Sequence, residues 1–96
     1  MQLLLTVDFL HTRDIIHRDL KPENVLISFT SPKTKLIHVK IMDFGIAETL
    51  MKDEEQLMLV CGTPTYIAPE VLKKHGYGLK ADIFAIGSIL FNLITA

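Results

Sequence analysis

Asp19, Lys21 and Asn24 fall within one short stretch, and Asp43 follows further along the chain. A carboxylate next to a hydroxyl nucleophile can take its proton, while an ammonium offsets charge on a transferring group. A second carboxylate and an amide oxygen are hard donors of the kind Mg2+ accepts. The set is suited to phosphoryl transfer, where positioning and charge stabilisation dominate. Taken singly, each residue would be ordinary solvated surface; their joint order is what gives them meaning.

For these groups to meet, the chain between them must fold back. Val25-Leu26-Ile27 and Leu36 to Met42 are short strand candidates separated by the turn-rich stretch Ser28 to Lys35. They read as a hairpin whose second strand ends at Asp43-Phe44-Gly45, which can bring Asp43 beside Asp19 and Asn24. Upstream, Leu3, Val7 and Leu10, with Leu4 beside them, recur at helical spacing and predict a helix over Gln2 to His11 with no capping residue before it. Downstream, Thr63-Pro64 and Ala68-Pro69-Glu70 punctuate the chain, because proline restricts itself and its predecessor. Asp82 to Ala96 is apolar almost all round. That pattern predicts a helix buried in a core, and it is shorter than the roughly 20 residues that cross a bilayer.

Composition narrows the class. The chain has 96 residues, 49% of them hydrophobic, with 10 Lys plus Arg against 11 Asp plus Glu. It is one domain at most, and it lacks the polar, highly charged signature of disorder. The near-zero net charge gives no diffuse positive field, so neither nucleic acid nor a membrane is an expected partner. Asp8 interrupts the apolar start and no basic leader precedes it, which argues against a signal peptide. Cys61 is the only cysteine, so no internal disulfide forms and a Cys-based metal site is excluded.

The order His17-Arg18-Asp19-Leu20-Lys21-Pro22-Glu23-Asn24, Asp43-Phe44-Gly45, Gly62-Thr63-Pro64-Thr65-Tyr66-Ile67-Ala68-Pro69-Glu70 and Asp82-Ile83-Phe84-Ala85-Ile86-Gly87 resembles the eukaryotic protein kinase catalytic domain. The resemblance covers essentially the whole chain. It implies a mainly α fold with a small β-hairpin, a partial kinase-like C-lobe from the helix before the catalytic loop to the central core helix. It implies ATP and Mg2+ as cofactors. Asp19 would accept the proton of the substrate hydroxyl, Lys21 would stabilise the γ-phosphate, Asn24 and Asp43 would hold Mg2+, and Thr63 would position Asp19 and Lys21. Lys21 and the Gly-Thr-Pro-Thr-Tyr segment are similar to the serine/threonine class. Leu26 would lie beneath the adenine, supported by Ile89 and Leu93. His17 and Phe44 would belong to a stack coupling two lobes, although His17 alone reads as a satisfied core histidine. Gly45 completes the metal-binding loop. Asp82 would accept backbone hydrogen bonds from the catalytic loop, the simpler alternative being an N-terminal helix cap. Glu70 would pair with an arginine further along than this chain reaches.

Regulation departs from a common family pattern. Arg18 resembles the arginine that clamps an activation-loop phosphate, yet Ala47 to Gly62 contains one hydroxyl residue, Thr49, and Leu59 occupies the usual phosphothreonine position. Asp53, Glu54 and Glu55 either give Arg18 standing negative charge or form a solvated acidic loop. The loop Ser28 to Lys35 is similar to that of the calcium/calmodulin-dependent and calcium-dependent kinases, and Glu23 to an acidic subsite for basic residues before the acceptor Ser or Thr. Asn92 replaces a second acidic residue found in some basic-directed kinases. The expected partners are protein substrates with Ser or Thr acceptors, with calcium or calmodulin regulation through regions outside the chain. The resemblance implies an intracellular, cytoplasmic protein. The glycine-rich loop and ATP-orienting lysine are missing, so the 96 residues alone read as a kinase segment, N-lobe and distal C-lobe absent, without useful activity. The alternative is a pseudokinase or scaffold that keeps the packing for protein interaction.

Overall fold

The computed structural model describes residues 2–29, 31–33, 36–50, 57, 60–73 and 76–95. Helix α1 covers Gln2–His11, as the apolar spacing predicts, and it turns Val7 and Leu10 into the interior. Arg13 and Asp14 then close turns onto the end of α1 through their amides, and Asp14 takes a left-handed φ of 57°. The chain enters strand β1, Ile15–Ile16, which pairs antiparallel with β4, Glu48–Thr49.

The expected hairpin is present. Strand β2, Val25–Phe29, pairs antiparallel with β3, Ile37–Ile41, in a register that sets Val25 opposite Ile41 and Phe29 opposite Ile37. β2 takes in Ser28 and Phe29, two residues more than the apolar run Val25-Leu26-Ile27 predicts. A 3₁₀ turn at Pro22–Asn24 leads into it, with proline at a position where no amide hydrogen is needed. The outer edge of β3 is closed by a side chain. The Gln2 amide donates to Ile37 O at 2.5 Å and accepts from Val39 N at 2.9 Å, so one residue of α1 mimics a neighbouring strand.

A second 3₁₀ turn, Pro64–Tyr66, precedes the short helix α2, Pro69–Leu72. Both begin at a proline. Helix α3 then spans Lys80–Thr95. Its buried residues are Ala81, Asp82, Ala85 and Ile89, a single stripe at helical spacing. This corrects the expectation of burial on all sides: Phe91, Leu93 and Ile94 are 66%, 71% and 74% exposed. The described elements cover one face of α3 and leave the apolar residues of its last turns on the surface.

Two apolar clusters hold these parts together. Val7, Leu20, Ala85 and Ile89 form one, with Leu3, Val25, Ile41, Tyr66 and Ile86 against it. Ala68, Val71, Tyr77 and Ala81 form the other, with Leu57 and Ile67 alongside. The first fastens the hairpin and the loop at Leu20 to α1 and α3; the second fastens α2 to the start of α3. No described helix is long and apolar enough to cross a membrane.

Candidate active site

The loop from His17 to Asn24 is fixed from below by one carboxylate. Asp82 is 1% exposed, and its Oδ2 accepts from the His17 amide at 2.9 Å while Oδ1 accepts from the Arg18 amide at 3.0 Å. His11 Nε2 adds a third bond to Oδ2 at 3.0 Å. A carboxylate with three donors can remain buried, whereas an unpaired one would be costly. α3 begins at Lys80, so Asp82 lies inside its first turn; it serves the loop rather than acting as the helix N-cap. These bonds also hold Arg18 at a φ of 71°, left-handed backbone that a non-glycine residue adopts only under constraint. The turn at Arg18 directs Asp19 away from the core.

His17, fully buried, supports the loop through both ring nitrogens. Met42 O can only accept and lies 3.0 Å from Nε2, whereas the Asp19 amide can only donate and lies 3.2 Å from Nδ1. The partners therefore select the tautomer with hydrogen on Nε2. Phe44 meets the ring edge to face, with centroids 4.9 Å apart. His17 is thus a satisfied core histidine and also the link between the His17 to Asn24 loop and the Asp43-Phe44-Gly45 turn.

At the top of the loop, Thr63 joins the two charged residues. Its hydroxyl donates to Asp19 Oδ1 at 2.9 Å and accepts from Lys21 Nζ at 3.0 Å. Lys21 Nζ also lies 3.7 Å from Asp19 Oδ2. Thr63 comes this close because Gly62 has no side chain: a Cβ there would lie 2.6 Å from Arg18 O, and its φ of 105° suits glycine. Asn24, nearly buried, donates from Nδ2 to the Asp19 carbonyl at 2.8 Å, with Asp19 Oδ2 at 3.4 Å.

Asp43 is exposed at the end of β3 with a φ of 61°. The Met42 amide donates to Asn24 O at 2.8 Å, so the hairpin register carries Asp43 to the level of the His17 to Asn24 loop. Its Oδ1 accepts from the Gly45 amide at 3.2 Å. Asn24 Oδ1 and Asp43 Oδ2 take no hydrogen bond from the described residues. An amide oxygen and a carboxylate oxygen left open are the donor chemistry that Mg2+ favours, so the pair fits that ion.

Other expected positions fall differently. Leu26 is half exposed on β2, and Val25, its neighbour, is the residue that packs on the core. Ile89 is buried in that core cluster, whereas Leu93 is exposed and outside it. Glu23 is exposed and Glu70 partly so; among the described residues neither makes an ion pair. Asn92 donates to the Tyr66 hydroxyl at 2.8 Å. Asp53, Glu54, Glu55 and Leu59 lie outside the described residues. Residues with no sequence signal of their own also enter the site. His11 ends a helix, Glu48 sits in a two-residue strand, and Tyr77 is buried against Arg18 and Cys61.

Comparison with known proteins agrees with this geometry. The family model described as the protein kinase domain matches residues 1–96, and the chain belongs to that family. It is 43% identical over 94 residues to the human serine/threonine-protein kinase DCLK3, covering 98% of this chain and 14% of that protein. It is 47% identical over 88 residues to the serine/threonine-protein kinase zyg-8 of Caenorhabditis elegans, covering 92% of this chain and 11% of the relative. The serine/threonine-protein kinase PLK4 of Drosophila yakuba matches at 41% over 93 residues, covering 97% and 11%. The chain therefore spans a small fraction of the length of these relatives. Proteins of this family generally use ATP and Mg2+.

Proposed function

We propose that the chain forms the catalytic-loop portion of an ATP-dependent protein kinase that phosphorylates Ser or Thr hydroxyls of protein substrates. The observation that carries this reading is the Thr63 hydroxyl bridging Asp19 and Lys21. It orients Asp19 through a 2.9 Å bond to Oδ1, while Oδ2, held by longer contacts to Asn24 Nδ2 at 3.4 Å and Lys21 Nζ at 3.7 Å, is the oxygen to receive a proton from an incoming hydroxyl. Lys21, held beside that carboxylate, keeps a positive charge where negative charge gathers during transfer. Asn24 steadies the Asp19 backbone with its nitrogen and, with Asp43, offers oxygen to the metal. Bound Mg-ATP supplies the phosphoryl group and the neutralising cation.

The same reading extends to recognition and setting. The β2 to β3 connection supports membership of the calcium/calmodulin-dependent group, and the exposed Glu23 supports a preference for basic residues ahead of the acceptor. The proposal includes a cytoplasmic location. ATP needs a phosphate-covering loop and an orienting lysine that the 96 residues do not include. The experiment is Mg2+-dependent transfer from radiolabelled ATP to a basic Ser/Thr peptide. The native gene product should phosphorylate it, its Asp19→Asn variant should fall at least a hundredfold, and the 96-residue chain should match that variant. Equal transfer by native protein and variant would overturn the reading.

A further inference from the structure

The Arg18 side chain is largely enclosed, with Glu48 at its rim 53% exposed. The side chain is 8% exposed, and each guanidinium nitrogen has a protein partner. Nε donates to Ile46 O at 2.6 Å, one terminal nitrogen donates to the Tyr77 hydroxyl at 3.3 Å, and the other lies 3.8 Å from Glu48 Oε2. Among the described residues, Glu48 is the carboxylate that pairs with this cation. Arginine stays charged, so a guanidinium this enclosed calls for an anion. Glu48 is placed by backbone pairing: it stands opposite Ile16 in the β1–β4 register, two residues ahead of Arg18. The segment Ala47 to Gly62 holds a single hydroxyl residue, Thr49, so it has almost nothing that could carry an added phosphate.

We propose that Glu48 is the built-in counter-charge of Arg18 and a positioning residue for Asp19, so that the catalytic loop is set by a carboxylate of the chain itself and not by a phosphate added to Ala47–Gly62. Glu48 holds Arg18, and the Arg18 backbone, tied to Asp82, sets the direction of Asp19. The inference rests on the kinase reading for its activity readout, and a second readout does not depend on it.

The test uses the native gene product after exhaustive phosphatase treatment. Treated protein and Thr49→Ala should each retain transfer within twofold of untreated protein. Glu48→Gln, which removes charge and keeps shape, should lower kcat about tenfold with the KM for ATP unchanged, and Glu48→Asp should recover most of the loss. In parallel, amide hydrogen exchange at residues 17–21 should be unaltered by phosphatase and quicken about tenfold in Glu48→Gln. Loss of activity on phosphatase treatment, or loop exchange in Glu48→Gln equal to that of the native protein, overturns the proposal. If transfer by the native protein does not exceed that of Asp19→Asn, the kinase reading fails, and the exchange data decide the role of Glu48 alone.

Discussion

Thr63 is the side chain through which the two charged groups of the site are tied together. Its hydroxyl is donor to one and acceptor from the other, so valine, equal in shape, removes two charge-assisted bonds at once. Bonds of this kind are worth about 1.5 to 3 kcal/mol, which corresponds to roughly a tenfold to hundredfold change in rate. Thr63→Val in the native gene product should lower kcat by that factor while leaving the KM for ATP within about threefold, measured by steady-state kinetics. Tyr77 makes a different residue-scale prediction. Burial pushes its hydroxyl pKa above the ordinary value, outweighing the opposing effect of Arg18. Because the folded state keeps a proton that the unfolded state releases, stability is unaffected below the ordinary tyrosine range, about 10, and falls as pH rises through it. Urea unfolding of the chain at several alkaline pH values should show this decline, and Tyr77→Phe should flatten it.

At the scale of elements, the site depends on how closely separate segments approach. Gly62 lets the segment before the second 3₁₀ turn lie directly on the Arg18 backbone. Gly62→Ala would set a methyl against a carbonyl and leave an L-residue at a left-handed φ, a strain of about 1 to 3 kcal/mol. The expected result is a lower urea midpoint together with at least a tenfold loss of kcat, since the segment must retreat and carry Thr63 from Asp19. The elements differ in how far they were legible in sequence. α1 carries a clean periodic signal and is found where it places the helix, and the hairpin is found at its predicted apolar runs with β2 two residues longer. The β1–β4 pair consists of two-residue strands, too short for any pattern, so the Glu48 to Arg18 contact could not be anticipated. The ring of donors and acceptors at Asp19, Lys21, Asn24 and Thr63 was legible through motif order. The bond from His11 to Asp82 was not, because it joins the end of one helix to the start of another through tertiary packing.

For the molecule as a whole, the apolar pattern of α3 was a correct sign of helix and an incorrect sign of burial. Periodicity reports which residues are apolar; what covers them depends on the neighbours available. Here one stripe is covered, and Leu90, Phe91, Leu93 and Ile94 form an exposed apolar surface with Leu4 and Leu5 of α1 exposed nearby in the fold. Large exposed apolar patches drive association. The 96-residue chain should therefore self-associate at micromolar concentration. Phe91→Lys combined with Ile94→Lys should raise the soluble monomer several-fold, read by sedimentation velocity, with little change in thermal midpoint because neither side chain is in the core.

The Gln2 amide gives that association a direction. It already occupies the bonding positions on the outer edge of β3 that an incoming strand would use. Among the described residues, no strand or side chain does the same for β2. Strand addition, the first step of fibrillar growth, is thus blocked on one border of the hairpin and open on the other. Strand addition at the hairpin would have to start as a pairing of β2 with β2, and would stop at a dimer for as long as α1 stays docked.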